Sequence, residues 1–387
     1  MNKRSFRVIG WLALLGLILL ALRQVSAMLP LFDFIEYWTA GYLNLRGSNP
    51  YGLQELDALQ RQLGWTSPDA LIAWNPPWTL SLMMMFSLLP YPLSRAGWLL
   101  VSMVCVLWAA EQTWRLYHGQ PKKKRLALLA GITFAPVFFN LLLGQITPLI
   151  LLGVVGFLSN ARQAPQDWRK GLVAGACLSL AAIKPQILYL APLALLFWSL
   201  SRRNWTLLAG FALALMAASL ASLAFNPQAF AQYLTALANY PPSHWATPTA
   251  GYYLRIWFGW DQFWLQFLPS LAGIIWLSFY WLKNHKTWDW QRHLPLLLLV
   301  SLVTSSYTWV HDQVVLVPVI VLFAMWVSRQ TRSRLAILAL ILYSSANLVY
   351  LVLHFKLDDS VFAWFAPWLL LLYLPVHRWL MRNPSSI

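Results

Sequence analysis

Apolar residues along this chain gather into long runs rather than short stripes. Clear runs cover Val8–Leu29, Leu93–Tyr117, Leu126–Leu143, Trp205–Phe225, Phe263–Leu282, Leu294–Trp309, Val314–Val327, Leu335–Leu353 and Val361–Val376. A helix crossing a hydrocarbon core needs about 20 apolar residues, so these runs predict spanning helices. A shorter run, Thr147–Leu158, lies between Gly144-Gln145 and Ser159-Asn160. Two stretches are ambiguous: Pro76–Pro90, and Gly171–Trp198 with its break at Lys184-Pro185. One helix over the latter would measure about 42 Å against a core of about 30 Å. It reads better as two short antiparallel spans meeting at Lys184-Pro185, with Pro76–Pro90 a re-entrant or interfacial helix. The expectation is an all-α integral membrane protein of about twelve spans, forming a single transmembrane domain over residues 1–387.

Charge supports this division. With both termini cytoplasmic, the cytoplasmic segments hold 21 of the 28 Lys and Arg residues, including the Lys122–Arg125 cluster. Nine of the twelve acidic residues fall on the other side, among them Asp33, Glu36, Asp261, Asp312, Asp358 and Asp359. Making Pro76–Pro90 a full span and Gly171–Trp198 a single one moves eight basic residues outside, against the positive-inside rule. Val25-Ser26-Ala27 resembles a signal-peptide cleavage site, but the apolar stretch before it is longer than a usual h-region. No repeat of 20–50 residues is visible.

Composition points to lipid as the solvent. Hydrophobic residues make up 59% of the chain and charged residues 10%, against about 25% charged in soluble domains. The 24 Trp residues suit headgroup-level belts. The net charge of +16 invites a nucleic-acid reading, yet no basic, aromatic-interleaved patch lies in a water-soluble segment, so no nucleic-acid partner is expected. Cys105 and Cys177 sit inside apolar runs and read as packing residues. The expected location is the cell membrane, with membrane lipids as surroundings.

Two extracytoplasmic loops are long: residues 30–92, with interfacial helices, and residues 226–262. In the first, Leu53, Leu56, Leu59 and Leu63 are spaced for an interfacial helix closed by Gly64, with Gln54, Glu55, Asp57, Gln60 and Arg61 between them. The second is crowded with aromatics, including Tyr240, Trp245 and Trp260, and carries Arg255. Such rings bind sugar faces or form an interface belt. Asp33, Glu36, Gln145, Lys184, His311 and Asp312 all lie where spans reach the outer face. Ionisable groups at membrane depth are costly, so their convergence argues for a site.

Asp33-Phe34-Ile35-Glu36-Tyr37-Trp38-Thr39-Ala40, followed by Gly47-Ser48-Asn49-Pro50-Tyr51, resembles the first-loop signature of glycosyltransferase family 87. Asn75-Pro76-Pro77, Gly144-Gln145, Lys184-Pro185 and the Ser306, Trp309, His311 pattern follow in the family's order. The resemblance covers nearly the whole chain, apart from the unmatched 226–262 loop. It implies a GT-C fold and a polyprenyl-phosphate-mannose-dependent mannosyltransferase with Asp33 as catalytic base. The lipid-linked sugar is then a co-substrate, with no further cofactor, and a glycan or glycolipid is the acceptor.

The chemistry is consistent with the residues. A departing polyprenyl phosphate needs nearby cations, and Lys184, His311 and Arg255 are available. A carboxylate must take the acceptor's hydroxyl proton, and Asp33 is placed for it. One displacement inverts the anomeric centre. Tyr37, Gln145 and Tyr51 are further substrate-binding candidates. Glu36, three residues from Asp33, is a second carboxylate, an acceptor-binding group or a solvated charge. No HExxH or CxxC spacing occurs, so metal-independent transfer is expected. A transporter or flippase for lipid-linked glycans is the alternative, although no inverted halves are visible. A non-catalytic membrane scaffold is the third.

Overall fold

A computed structural model describes residues 16, 20–330 and 333–382, and every regular element among them is helical. Of the first predicted span, residues 20–28 are helical and most of the rest lies outside the described residues. The chain continues as α1 (Phe32–Leu45), α2 (Leu53–Gln62), α3 (Leu80–Ser87), α4 (Tyr91–Leu116), α5 (Arg125–Ile132) and α6 (Ala135–Leu143). Then come α7 (Thr147–Ala161), α8 (Trp168–Leu178), α9 (Leu190–Arg202), α10 (Thr206–Phe225), α11 (Ala229–Asn239) and α12 (Ala250–Phe258). The last five are α13 (Leu268–Asn284), α14 (Trp290–Val303), α15 (Val317–Arg329), α16 (Arg334–Leu353) and α17 (Phe365–Arg382).

Six helical segments among the described residues are long and apolar enough to cross a membrane: Tyr91–Leu116, Thr206–Phe225, Phe263–Thr287, Val310–Arg329, Arg334–Leu353 and Asp359–Arg382. A seventh arises if α5, extended back to Pro121, and α6 count as one span bent by 57°. Pro136 explains that bend, because a proline ring clashes with the carbonyl four residues earlier and offers no N–H. The Asn347 side chain accepts the buried Ala135 N–H, left without a helical partner at the bend, at 2.9 Å. Helices α7 and α9, of 15 and 13 residues, are shorter apolar segments. The helix predicted within Pro76–Pro90 is present as a short 3₁₀ turn, Pro77–Thr79, leading into α3. The predicted break at Lys184-Pro185 is real. There α8 gives way to 3₁₀ turns and Lys184 leaves the helical region at φ −130°, ψ 78°, as a residue before proline is pushed to do.

The described residues divide into two compact units. One comprises those of Met1–Val104 with Leu141–Ile146 and Ala217–Tyr240, the other Cys105–Asn140, Thr147–Met216 and those of Pro241–Ile387. In the first, α1 packs on α3, and Ser87 Oγ donates to the Trp38 carbonyl at 2.8 Å. Phe34 stacks on Trp98, with centroids 5.5 Å apart. The predicted helix at Leu53 forms and ends before Gly64 at φ +92°. Its polar face departs from expectation at Gln60, which is fully buried. The Gln60 amide donates to the Leu71 carbonyl at 2.7 Å and accepts the Leu71 N–H at 2.9 Å. That two-point match draws a polar residue inward while Leu53, Leu59 and Leu63 stay partly exposed.

In the second unit, Val310–Arg329 is the inner helix. Burial covers 89% of its apolar stretch, against 17% for Thr206–Phe225. A water-soluble fold would not leave so apolar a helix uncovered. Elsewhere, α8 crosses the start of α10 at close range through Gly171 and Gly175, spaced as Gly-x-x-x-Gly. A Cβ on Gly175 would run into the Leu207 carbonyl oxygen and lie 2.7 Å from the Phe211 nitrogen. Without a hydrophobic drive between helices in lipid, such small-residue contacts carry the association. Gly175→Ala is expected to cost about 1–3 kcal/mol by overpacking. Thermal unfolding of the detergent-purified protein measures it, and an unchanged melting temperature would show that the crossing can open without loss.

Candidate functional site

The first group of polar residues is built on the start of α1. Leu31 holds the left-handed conformation at φ 42°, which costs a non-glycine residue roughly 1–2 kcal/mol. It is fully buried, and its N–H donates to the Leu142 carbonyl at 3.0 Å, tying the helix start to the segment Leu141–Ile146. That segment turns through Gly144 at φ +76°, where a Cβ would lie 2.9 Å from Phe34 Cβ. Glycine satisfies both requirements, the positive φ and the close approach. Trp98 Nε1 donates to the Gly144 carbonyl at 2.8 Å and fixes the turn.

This backbone contact delivers Gln145 to α1. Gln145 Nε2 donates to Asp33 Oδ2 at 2.6 Å, and Tyr37 Oη donates to Gln145 Oε1 at 3.0 Å. The tyrosine decides which end of the amide faces the carboxylate, because a phenol proton needs the amide oxygen. Asp33 lies in the first turn of α1, where the helix dipole favours an anion. Tyr37 is one turn further on and buried, Gln145 is buried, and Asp33 is half-buried. Three predicted residues 112 or fewer positions apart thus form one hydrogen-bonded chain. Glu36 is half-buried on α1, three residues from Asp33.

Tyr51 belongs to a different set of contacts in the same unit. It is buried, donates to the Asn75 carbonyl at 3.0 Å and packs on Tyr233 at 5.2 Å. Burial, reinforced by Tyr233, pushes its phenol well above the usual range, so it serves as a neutral donor.

The second group sits at the chain break and at the entry to the inner helix of its unit. Lys184 Nζ meets Asp312 Oδ1 at 2.7 Å, with side chains 11% and 2% exposed. Thr147 Oγ1 donates to the same oxygen at 2.9 Å, and the Trp309 N–H donates to Asp312 Oδ2 at 3.0 Å. His311 is buried, its ring parallel to Trp309 within 12° at 6.2 Å, and its carbonyl accepts from Asn140 Nδ2 at 3.1 Å. Arg255, on α12, is also buried. Its Nε and Nη2 both donate to the Trp260 carbonyl, at 3.1 and 2.8 Å, and the guanidinium lies 4.2 Å from the Trp260 ring. Its Nη1 is buried and hydrogen-bonds to none of the described residues. Among the described residues no three His, Cys, Asp or Glu side chains form a group able to hold a metal ion.

Sequence reasoning placed Lys184 and His311 at the site but overlooked that Asp312 is the counter-charge of Lys184. The signal was available, since a lysine at membrane depth requires an acidic partner. Thr147 and Trp98 carried no such signal, because an isolated threonine or tryptophan beside an apolar run is ordinary.

A multi-pass helical membrane protein with polar side chains concentrated at helix starts and breaks is the class defined so far. Compared with known families, residues 73–353, most of the chain, match glycosyltransferase family 87. The chain belongs to glycosyltransferase family 87 and is a membrane glycosyltransferase. Comparison with curated proteins and with solved structures finds no match. Asn75, Gln145, Lys184, Arg255 and His311 fall inside the matched span, and Asp33 through Tyr51 precede it.

Breaking one side of a buried pair leaves an uncompensated charge and typically costs 3–5 kcal/mol, whereas replacing both partners with apolar groups can be neutral. Lys184→Met or Asp312→Leu alone is therefore expected to lower thermal stability by about that amount. The double variant should recover most of the loss. Additive losses in this cycle would mean that the two charges do not stabilise one another.

Proposed function

We propose that this membrane glycosyltransferase moves a sugar, mannose by the family resemblance, from a polyprenyl-phosphate carrier to a glycan or glycolipid acceptor, with inversion. The observation that carries the reading is the Tyr37–Gln145–Asp33 chain, which holds one carboxylate in a fixed orientation at a helix start. In this mechanism the acceptor hydroxyl oxygen forms a bond to the anomeric carbon while the bond from that carbon to the carrier phosphate breaks. The phosphate leaves with the electron pair, and the hydroxyl proton passes to Asp33. Preorganised polar groups act strongly on such developing charge because they need no reorganisation. Lys184 and His311 are assigned to the donor phosphate, with Arg255 a further cation for it, and Glu36 and Tyr51 to the substrate side.

Lys184 is a modified candidate on physical grounds. Asp312 already balances its charge, so what it offers a phosphate is a fixed, partly neutralised ammonium rather than a full positive charge. We further propose the GT-C architecture with about twelve spans and re-entrant or interfacial helices in the 30–92 loop. In this topology both termini are cytoplasmic and the chemistry is extracytoplasmic, in the cell membrane. The carrier-linked donor fits that side, where nucleotide sugars are not supplied.

Two outcomes are expected. General-base catalysis is worth about 10²–10⁴ in rate, so Asp33→Asn should lose at least about a hundredfold in turnover with labelled polyprenyl-phosphate sugar while still binding a non-transferable donor analogue. Glu36→Gln should lose far less, and the reverse ranking would assign the base to Glu36. For topology, in a background lacking Cys105 and Cys177, an impermeant thiol reagent applied to intact cells should label cysteine placed at exposed Gln62. Cysteine at exposed Lys122 should react only after permeabilisation. Labelling of Lys122→Cys from outside would invert the orientation.

A further inference from the structure

Within the first unit, the start of α2 and the end of α11 enclose a cleft of about 240 Å³. Its lining is polar and comes from two segments far apart in the chain. Asn49, Glu55, Gln232, Thr235, Asn239 and Tyr240 supply side chains to it.

The walls are fixed from behind. Asn226, buried, donates through Nδ2 to the Ser48 carbonyl at 3.0 Å and to Gln232 Oε1 at 2.8 Å. This locks the Gln232 amide with its nitrogen left to donate elsewhere. Asn49 is oriented in the same way, since its Oδ1 accepts the Tyr51 N–H at 3.0 Å and its amide nitrogen remains. The Tyr51–Tyr233 ring contact lies beneath, anchored by the Tyr51–Asn75 hydrogen bond. The side chains of Glu55, Thr235 and Asn239 hydrogen-bond to none of the described residues. Tyr240 keeps 46% of its surface exposed.

That set consists of amide donors, a hydroxyl, one carboxylate acceptor and one open aromatic face. Vicinal hydroxyls of a sugar ring are met by paired amides and a carboxylate, and its apolar C–H face by an aromatic ring. The charge is selective. On a chain of net charge +16, no lysine or arginine lines this cleft, and Glu55 is its one charged group. Phosphates and other anions are disfavoured there, and uncharged polyols are not. The volume falls below the roughly 300–1,000 Å³ of a drug-sized pocket and suits about one ring.

We propose that this cleft is a saccharide-binding subsite that holds one neutral pyranose unit of the acceptor. Its assignment to the acceptor rests on the transferase reading above, whereas binding of a neutral sugar does not. The test uses the full chain in phosphatidylcholine nanodiscs, free of sugar-headed detergent. Saturation-transfer NMR is recorded with methyl α-mannopyranoside and methyl β-glucopyranoside, with glycerol 1-phosphate as the anionic probe. At least one glycoside is expected to receive saturation through this cleft, and any saturation of the phosphate is expected to come from outside it. The double variant Asn239→Ala/Tyr240→Ala, both exposed positions, should reduce the glycoside signal about five-fold or more, the scale of one lost hydrogen bond, with an unchanged melting temperature. Asp33→Asn should keep it. An unchanged glycoside signal in the double variant, or an equal loss of glycerol 1-phosphate signal in it, would overturn the subsite. In the transfer assay, the double variant should raise KM for the acceptor and not for the donor. The opposite split would give the cleft to the donor sugar and overturn the acceptor assignment. Glycoside binding is read without transfer, so it stands or falls independently of Asp33 as the base.

Discussion

An ammonium and a carboxylate 2.7 Å apart, almost out of reach of solvent, organise the larger unit of this protein. Taking each ion from water costs several kcal/mol, and their attraction recovers it only when the remaining hydrogen-bonding capacity is also met. Thr147 and the Trp309 N–H meet it for Asp312. The pair therefore draws together the break at Lys184-Pro185, the first residue of α7 and the turn that leads into α15. Pro185 is what makes Lys184 available, because it forces the chain out of the helix at that point. Asp312 also balances the charge of Lys184 and fixes the position of its ammonium.

In the smaller unit the corresponding constraint is a backbone contact. Leu31 and Gly144 both adopt left-handed conformations, and each places its segment where the other needs space. The reward is chemical. Gln145 is delivered to Asp33, and Tyr37 sets the direction of the amide between them. A carboxylate held by a charge-assisted hydrogen bond, a contact worth about 1.5–3 kcal/mol, keeps one orientation instead of sampling several. Strain at a non-glycine residue persists only where the surroundings over-determine it, and such places cluster at functional sites.

Both groups lie where regular helix stops. Inside a membrane, interrupted backbone is tolerated only when protein or a water-filled cavity satisfies its polar groups. Helix ends are therefore the places where polar side chains and exposed N–H groups can be gathered at modest cost. The Lys184-Pro185 break, the Gly144 turn and the 3₁₀ entry at Val310–Leu316 are three instances in one chain. The polar cleft between α2 and α11 follows another logic, with buried amides such as Asn226 orienting surface ones.

The long apolar runs were legible from composition alone. Thr206–Phe225 and Arg334–Leu353 begin and end within a residue of where the hydropathy pattern puts them, because hydropathy is a sum over neighbours along the chain. The Lys184-Pro185 break was legible too, since proline acts locally. What the sequence could not supply was partnership. Gln60 looks like a solvent-facing residue between leucines, yet a two-point match to the Leu71 backbone buries it. Asp312 reads as one acidic residue among nine on its predicted side until Lys184, 128 positions away, is brought to it. Gln145 becomes an orienting group only because Gly144 lets two segments approach more closely than a Cβ would allow. Sequence determined which segments leave water, by adding transfer free energies residue by residue. Tertiary structure decided which polar groups meet, because that depends on approach distances that no local sum contains.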